Sequence, residues 1–214
     1  MDYFKSILES LHFLLSATGV DYWVDWLTTD LALWESEKSV ERHLSAFDAE
    51  EGINILVISM QNGHQITDEQ EPWANGLLSE LRGFSFTFAN AFSTGRVIDI
   101  SDPELITPIR IQIFGEYCPV CGFLSLTRRN IDDCIARNIV SQEIVDGLRN
   151  DRLKTSVTNC LSMNLPVIAT RRTRLRELAR QSGIYYTENS GLPRSCPNCG
   201  SNEATRCREI DLHW

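Results

Sequence analysis

Two short stretches of this chain, Cys118-Pro119-Val120-Cys121-Gly122 and Cys196-Pro197-Asn198-Cys199-Gly200, repeat one pattern. Each is a Cys-x-x-Cys-Gly turn in which two thiols diverge from one tight loop. Two such turns face to face supply four soft ligands at the corners of a tetrahedron. The glycine behind the second cysteine lets the chain fold back at positive φ, where a Cβ would be penalised. Any fold of this chain that uses the pair as one site must bring residues 118–122 beside residues 196–200, whatever lies between them.

The ligand arithmetic favours one shared site. Seventy-four residues separate Cys121 from Cys196, so the site would close over a long insertion. Two independent sites would each need two further ligands from Cys134, Cys160, Cys207, His64 and His213. Cys134 and Cys160 lie in helical patterns beside apolar residues, where a free cysteine behaves as a small buried hydrophobe. Cys207 lies eight residues after Cys199 and could replace or crowd a ligand. The expected set is Cys118, Cys121, Cys196 and Cys199, holding one structural Zn2+ per chain. Four sulfurs leave no open position for water, so hydrolytic chemistry at the metal is not expected. A redox role would place a single Cys-x-x-Cys at a strand-to-helix junction, whereas these motifs come as a matched pair.

At 214 residues and 43% hydrophobic, the chain can bury one large core or two modest ones. The N-terminal apolar residues are interrupted by Asp2, Lys5, Glu9 and His12, which is not the order of a signal peptide, and no apolar run is long enough to cross a membrane. A cytoplasmic location follows as the expectation, and reduced thiols there favour metal over disulfides. Charge is unevenly placed. Residues 1–115 hold 18 acidic against 6 basic side chains, a net of −12, while residues 116–214 hold 11 against 14, a net of +3. The expected architecture is α+β: an acidic, mainly helical domain over 1–104, and a zinc-ribbon-like domain over 105–214 with a helical insertion at 130–182.

Periodicity fills in the elements. Phe4, Ile7, Leu8, Leu11 and Leu15 repeat at helical spacing. A second helix carries Val20, Trp23, Val24, Leu27, Leu31 and Trp34 on one stripe, with Tyr22, Trp26 and Leu33 on another; the second stripe is either core or an aromatic anchor for a partner. A short helix holds Val40, Leu44 and Phe47. The β-branched run Ile53 to Ile58 reads as a strand before the Asn62-Gly63 turn, and His64 behind it as a surface or turn-stabilising residue and not a ligand or catalyst. Trp73, Leu77, Leu81, Phe84, Phe88 and Phe92 mark a long helix, Val97 to Ile100 a brief strand, and Asp102-Pro103 a turn. Ile109, Ile111 and Ile113 alternate into the first knuckle, and Leu124 and Leu126 leave it, which sets that knuckle at a hairpin tip. Asn130 and Ser141 read as caps of two successive helices. Pro166 interrupts the pattern, an arginine-rich helix follows over 171–180, and Ile184 to Thr187 forms a last strand.

An enzyme is disfavoured, because no Gly-rich phosphate loop, Gly-x-Ser-x-Gly elbow or His-Glu-x-x-His helix occurs. Zinc-ribbon nucleic-acid binding or regulation is the alternative, since Arg171, Arg172, Arg174, Arg176 and Arg180 could meet phosphates. The overall charge of −9 and Glu177 within the stripe stand against it. Leu14-Leu15, Gly19, the segment Trp23 to Leu27 and the Cys118 to Gly122 module together resemble cytosolic immunity proteins of bacterial polymorphic toxin systems. That resemblance implies a stoichiometric, non-enzymatic inhibitor that covers the active surface of a cognate, basic protein toxin. Acidic residues would steer the encounter and aromatic anchors would hold it. The partner surface is then expected at Trp26 and Asp30 in the acidic half and at Arg172 and Arg176 in the arginine helix.

Overall fold

A computed structural model describes residues 2–48, 52–100, 112–162, 165–188, 195–203 and 206–211. Among these the architecture is α+β, with seven α-helices and one four-stranded sheet. The chain divides into two compact units, 1–107 with 139–163, and 108–138 with 164–214. The segment 139–163, read from sequence as part of an insertion in the C-terminal domain, groups with the N-terminal residues.

The first unit is helical. Helix α1 (Tyr3–Ala17) starts at Asp2, whose carboxylate accepts the Lys5 N–H at 3.1 Å. The expected stripe is the core: Phe4 is buried and Ile7, Leu8, Leu11 and Leu15 have no exposed surface, nor has Leu14 outside the stripe, and each such fully buried side chain contributes about 2 kcal/mol by leaving water. Helix α2 (Asp21–Glu37) buries Trp23, Leu27 and Trp34 against it. Asp2 reaches across the pair, accepting the Trp34 indole N–H at 2.9 Å. After α3 (Glu41–Asp48) comes the long helix α4 (Glu71–Ser93), which buries Trp73, Leu77 and Leu81 as expected. Its stripe then drifts onto Ser85 and Ala89, leaving Phe92 half exposed.

Ile53 to Ile58 is not a strand. Ile53–Ile55 forms a 3-10 turn and the chain runs on extended. The described part of this unit offers no strand to pair with, and side chains of α4 take the backbone groups instead. Asn75 brackets Ile58, accepting its N–H at 2.9 Å and donating to its carbonyl at 2.7 Å. Arg82 donates to the carbonyls of Ile53, Asn54 and Leu56. His64 accepts the Ser59 N–H at 3.0 Å, which is the turn-stabilising one of the two roles expected of it. Residues 97–100 are likewise irregular and form no strand, and Asp102-Pro103 lies outside the described residues.

In the second unit, β1 (Gln112–Tyr117) and β2 (Leu124–Thr127) pair antiparallel through Glu116↔Ser125 and Tyr117↔Leu124, with the first knuckle at the hairpin tip. The earlier part of the predicted strand, Ile109 and Ile111, lies outside the described residues. Strand β3 (Tyr185–Thr187) joins β2 in parallel, and β4 (Arg206–Asp211), which no period announced, pairs antiparallel along all of β1. The order is β3-β2-β1-β4. Gly115 sits where a Cβ would press on Ile210, on Leu126 at 2.9 Å and on the Ser125 carbonyl at 3.0 Å, so only glycine fits that position.

The two helices expected from Asn130 and Ser141 are one, α5 (Arg128–Arg149). Thr127 caps it, accepting the Asn130 N–H at 3.2 Å, while Asn130 reaches back to the Thr127 N–H at 2.7 Å. This reciprocal bonding starts the helix earlier than Asn130 alone would. Ile131, Cys134 and Ile135 are buried before the unit boundary, and Ile144, Val145 and Leu148 after it. Helix α6 (Leu153–Leu161) packs on α1 and α4. Helix α7 (Leu165–Gln181) carries Pro166 at its second position, where a missing N–H costs nothing.

Candidate metal centre

Both knuckles adopt one backbone conformation. In the first, the Cys118 N–H donates to the Phe123 carbonyl at 3.0 Å and the Gly122 N–H to the Cys118 carbonyl at 2.8 Å. In the second, the Cys196 N–H donates to the Ser201 carbonyl at 2.8 Å and the Gly200 N–H to the Cys196 carbonyl at 2.9 Å. Gly122 and Gly200 share φ = 72°. Strand pairing of β1 with β2 presents one loop, and the approach to β4 presents the other.

The four Sγ atoms lie within 4.8 Å of one another. Cys118 faces Cys199 and Cys121 faces Cys196, each pair at 3.7 Å. A disulfide requires about 2.05 Å. Four sulfurs each about 2.3 Å from one ion sit about 3.8 Å apart at the corners of a tetrahedron, so the observed spacing is that of ligands around a common centre. Cys118 and Cys196 are buried while Cys121 and Cys199 face outward, which closes one side of the cluster against the protein.

Electrostatics explain why a cation belongs there. The Asn198 amide donates to Cys121 Sγ at 3.6 Å; with the Phe123 N–H, it draws the Cys121 thiol down to about 6. Ser201 lowers Cys199 by a backbone hydrogen bond, yet the crowding of Cys121, Cys196 and Cys118 carries that thiol up to about 12. One thiolate forms readily and then opposes the next. A divalent ion removes the opposition and lets four thiolates coexist.

Among the described residues, no other group of three or more His, Cys, Asp or Glu side chains converges in this way. Cys134 and Cys160 are buried singly, and burial pushes the Cys160 thiol up to about 12. Cys207 is exposed on β4 opposite Glu116 and stands outside the cluster. His213 lies outside the described residues.

No known protein family matches the chain, and no curated protein or solved structure does. The site's geometry therefore carries the assignment: a four-cysteine cluster able to hold one metal ion. None of the helices among the described residues is long and apolar enough to cross a membrane.

The residues expected to meet a partner stand differently. Asp30 is 3% exposed, bound to His43 Nδ1 at 2.9 Å and to Arg42, so it is a buried pair and not a docking group. Trp26 is half-buried with the Arg42 guanidinium 3.8 Å over its ring, and its indole N–H has no partner. Arg172 grips Asp132 with two bonds of 2.8 and 3.0 Å. Arg176 donates to Glu188 at 2.8 Å. Both arginines thus bind acids of their own unit. On the second stripe of α2, expected to be either core or an aromatic anchor, Tyr22 and not Trp26 is the exposed ring, 66% exposed beside Trp23 and Trp26, with Asp21 and Asp25 exposed next to it.

Proposed function

We propose that this protein is a non-enzymatic protein-binding molecule, an immunity protein that neutralises a cognate bacterial toxin by covering its active surface. Its C-terminal unit is then a zinc-ribbon-like module fixed by one structural Zn2+. The observation that carries the metal part is the closed set of four sulfurs, with facing pairs at 3.7 Å; it has no vacant ligand position for substrate or water, which suits a staple and not a hydrolytic centre. An all-sulfur donor set favours zinc among divalent ions.

The binding part rests on the acidic N-terminal half and on Tyr22. An exposed aromatic flanked by Asp21 and Asp25 has the composition of an anchor with electrostatic guidance for a basic surface. The pairing of Arg172 with Asp132 and of Arg176 with Glu188 weakens the nucleic-acid alternative, because phosphates would have to displace partners already in place.

Co-expression with the product of the adjacent gene, read as rescue from toxicity and as one-to-one co-purification, tests the function. Rescue that weakens with Tyr22→Ala supports it, and the absence of both rescue and complex overturns it. Elemental analysis tests the metal separately: about one zinc per chain is expected, and two or none would dismiss the shared site.

A further inference from the structure

Beside the turn at Ile53–Ile55 lies an open pocket of about 480 Å³ in the helical unit, walled by Phe47, Asp48, Arg82 and Phe86 among others. That size is within the usual range for small-molecule sites. Two opposite charges share the wall without meeting. Arg82 is partly buried, and its guanidinium is pushed below its ordinary pKa by burial alone. Among the described residues one nitrogen, Nη1, makes all of its hydrogen bonds, to the carbonyls of Ile53, Asn54 and Leu56 at 2.6, 2.9 and 3.2 Å. A guanidinium has five N–H donors. Its Nε and Nη2 donors have no partner among the described residues, and no carboxylate there comes within ion-pair distance.

Asp48 is the complementary case. It is exposed at the last position of α3, a helix with no basic residue in its last turn. The negative end of the helix dipole adds to its own charge and favours a cation. No cation among the described residues pairs with it. The same pocket is lined by Phe47 and Phe86, whose rings stand 5.1 Å apart in a tilted pair.

We infer that this pocket binds a small zwitterion with an apolar body, of the α-amino acid class. Its carboxylate meets the free fork of Arg82, its ammonium meets Asp48 and the α3 terminus, and its apolar part lies on Phe47 and Phe86. A simple anion would be repelled by Asp48, and a simple amine by Arg82.

Calorimetry and thermal-shift titration of the full chain with L-phenylalanine, phenylacetate and phenethylamine test the assignment. L-phenylalanine should bind about tenfold more tightly than either single-charge analogue, the scale of one charge-assisted contact. Asp48→Asn, an exposed change that leaves the fold intact, should erase the preference over phenylacetate. Arg82→Lys keeps the charge but loses the fork and should weaken L-phenylalanine binding about tenfold. Phenylacetate binding as well as L-phenylalanine would overturn the zwitterion assignment, and no binding of any probe at millimolar concentration would overturn the site.

Discussion

Asp30 holds two cationic or potentially cationic side chains at once, Arg42 and His43, in a position 3% exposed. Removing one member of a buried charge pair leaves the other desolvated and unpaired. Asp30→Ala should therefore cost on the order of 3–5 kcal/mol in urea denaturation, whereas Asp25→Ala, on the solvent side of the same helix, should change little. Asp2 makes a pH-dependent contribution. Burial opposes its ionisation, but the Trp34 indole and the Lys5 N–H outweigh that and hold its pKa below the ordinary 3.8. A lowered folded-state pKa means stability that is present above the unfolded value and lost as pH falls through the folded one. The difference in urea midpoint between the wild type and Asp2→Asn should correspond to about 1 kcal/mol or less near neutrality and vanish once pH is well below 3.8. Neither role was legible in the sequence: Asp30 continues the polar run Thr28-Thr29, and only its burial beside His43 shows that it faces inward.

At the scale of elements, legibility followed local chemistry. The α1 stripe and the two knuckles were readable because each is dictated by neighbours a few residues away. The segment Ile53 to Ile58 was misread because its β-branched residues suit a strand while its hydrogen-bond partners, Asn75 and Arg82, lie on a distant helix. Strand β4 was invisible for the converse reason: Arg206 to Asp211 is polar, and its conformation is imposed by β1. Glycine substitutions separate two costs. Ala at Gly122 or Gly200 meets no atom within 4 Å, so the cost is the left-handed backbone alone, about 1–2 kcal/mol each. Ala at Gly115 collides with the sheet itself, and its loss of stability in the metal-loaded protein, measured by thermal denaturation, should exceed that of either knuckle variant.

For the molecule as a whole, its seven thiols should sort into three classes under a thiol reagent. In the metal-loaded native protein Cys207, exposed and outside the cluster, should react first and alone. A strong chelator should release the four knuckle cysteines. Cys134 and Cys160, buried and held protonated by desolvation, should appear only on unfolding. Early reaction of more than one thiol before chelation would contradict the four-sulfur shell. The α+β class, the hairpin and the ligand set were accessible from the residues themselves, because spacing encodes them. The division into units was not: the chain passes between them at 107/108, 138/139 and 163/164, and the middle passage falls within the unbroken helix α5. Neither unit corresponds to one continuous length of sequence, so a cut at any single point inside the chain severs at least one of them and no simple truncation isolates either.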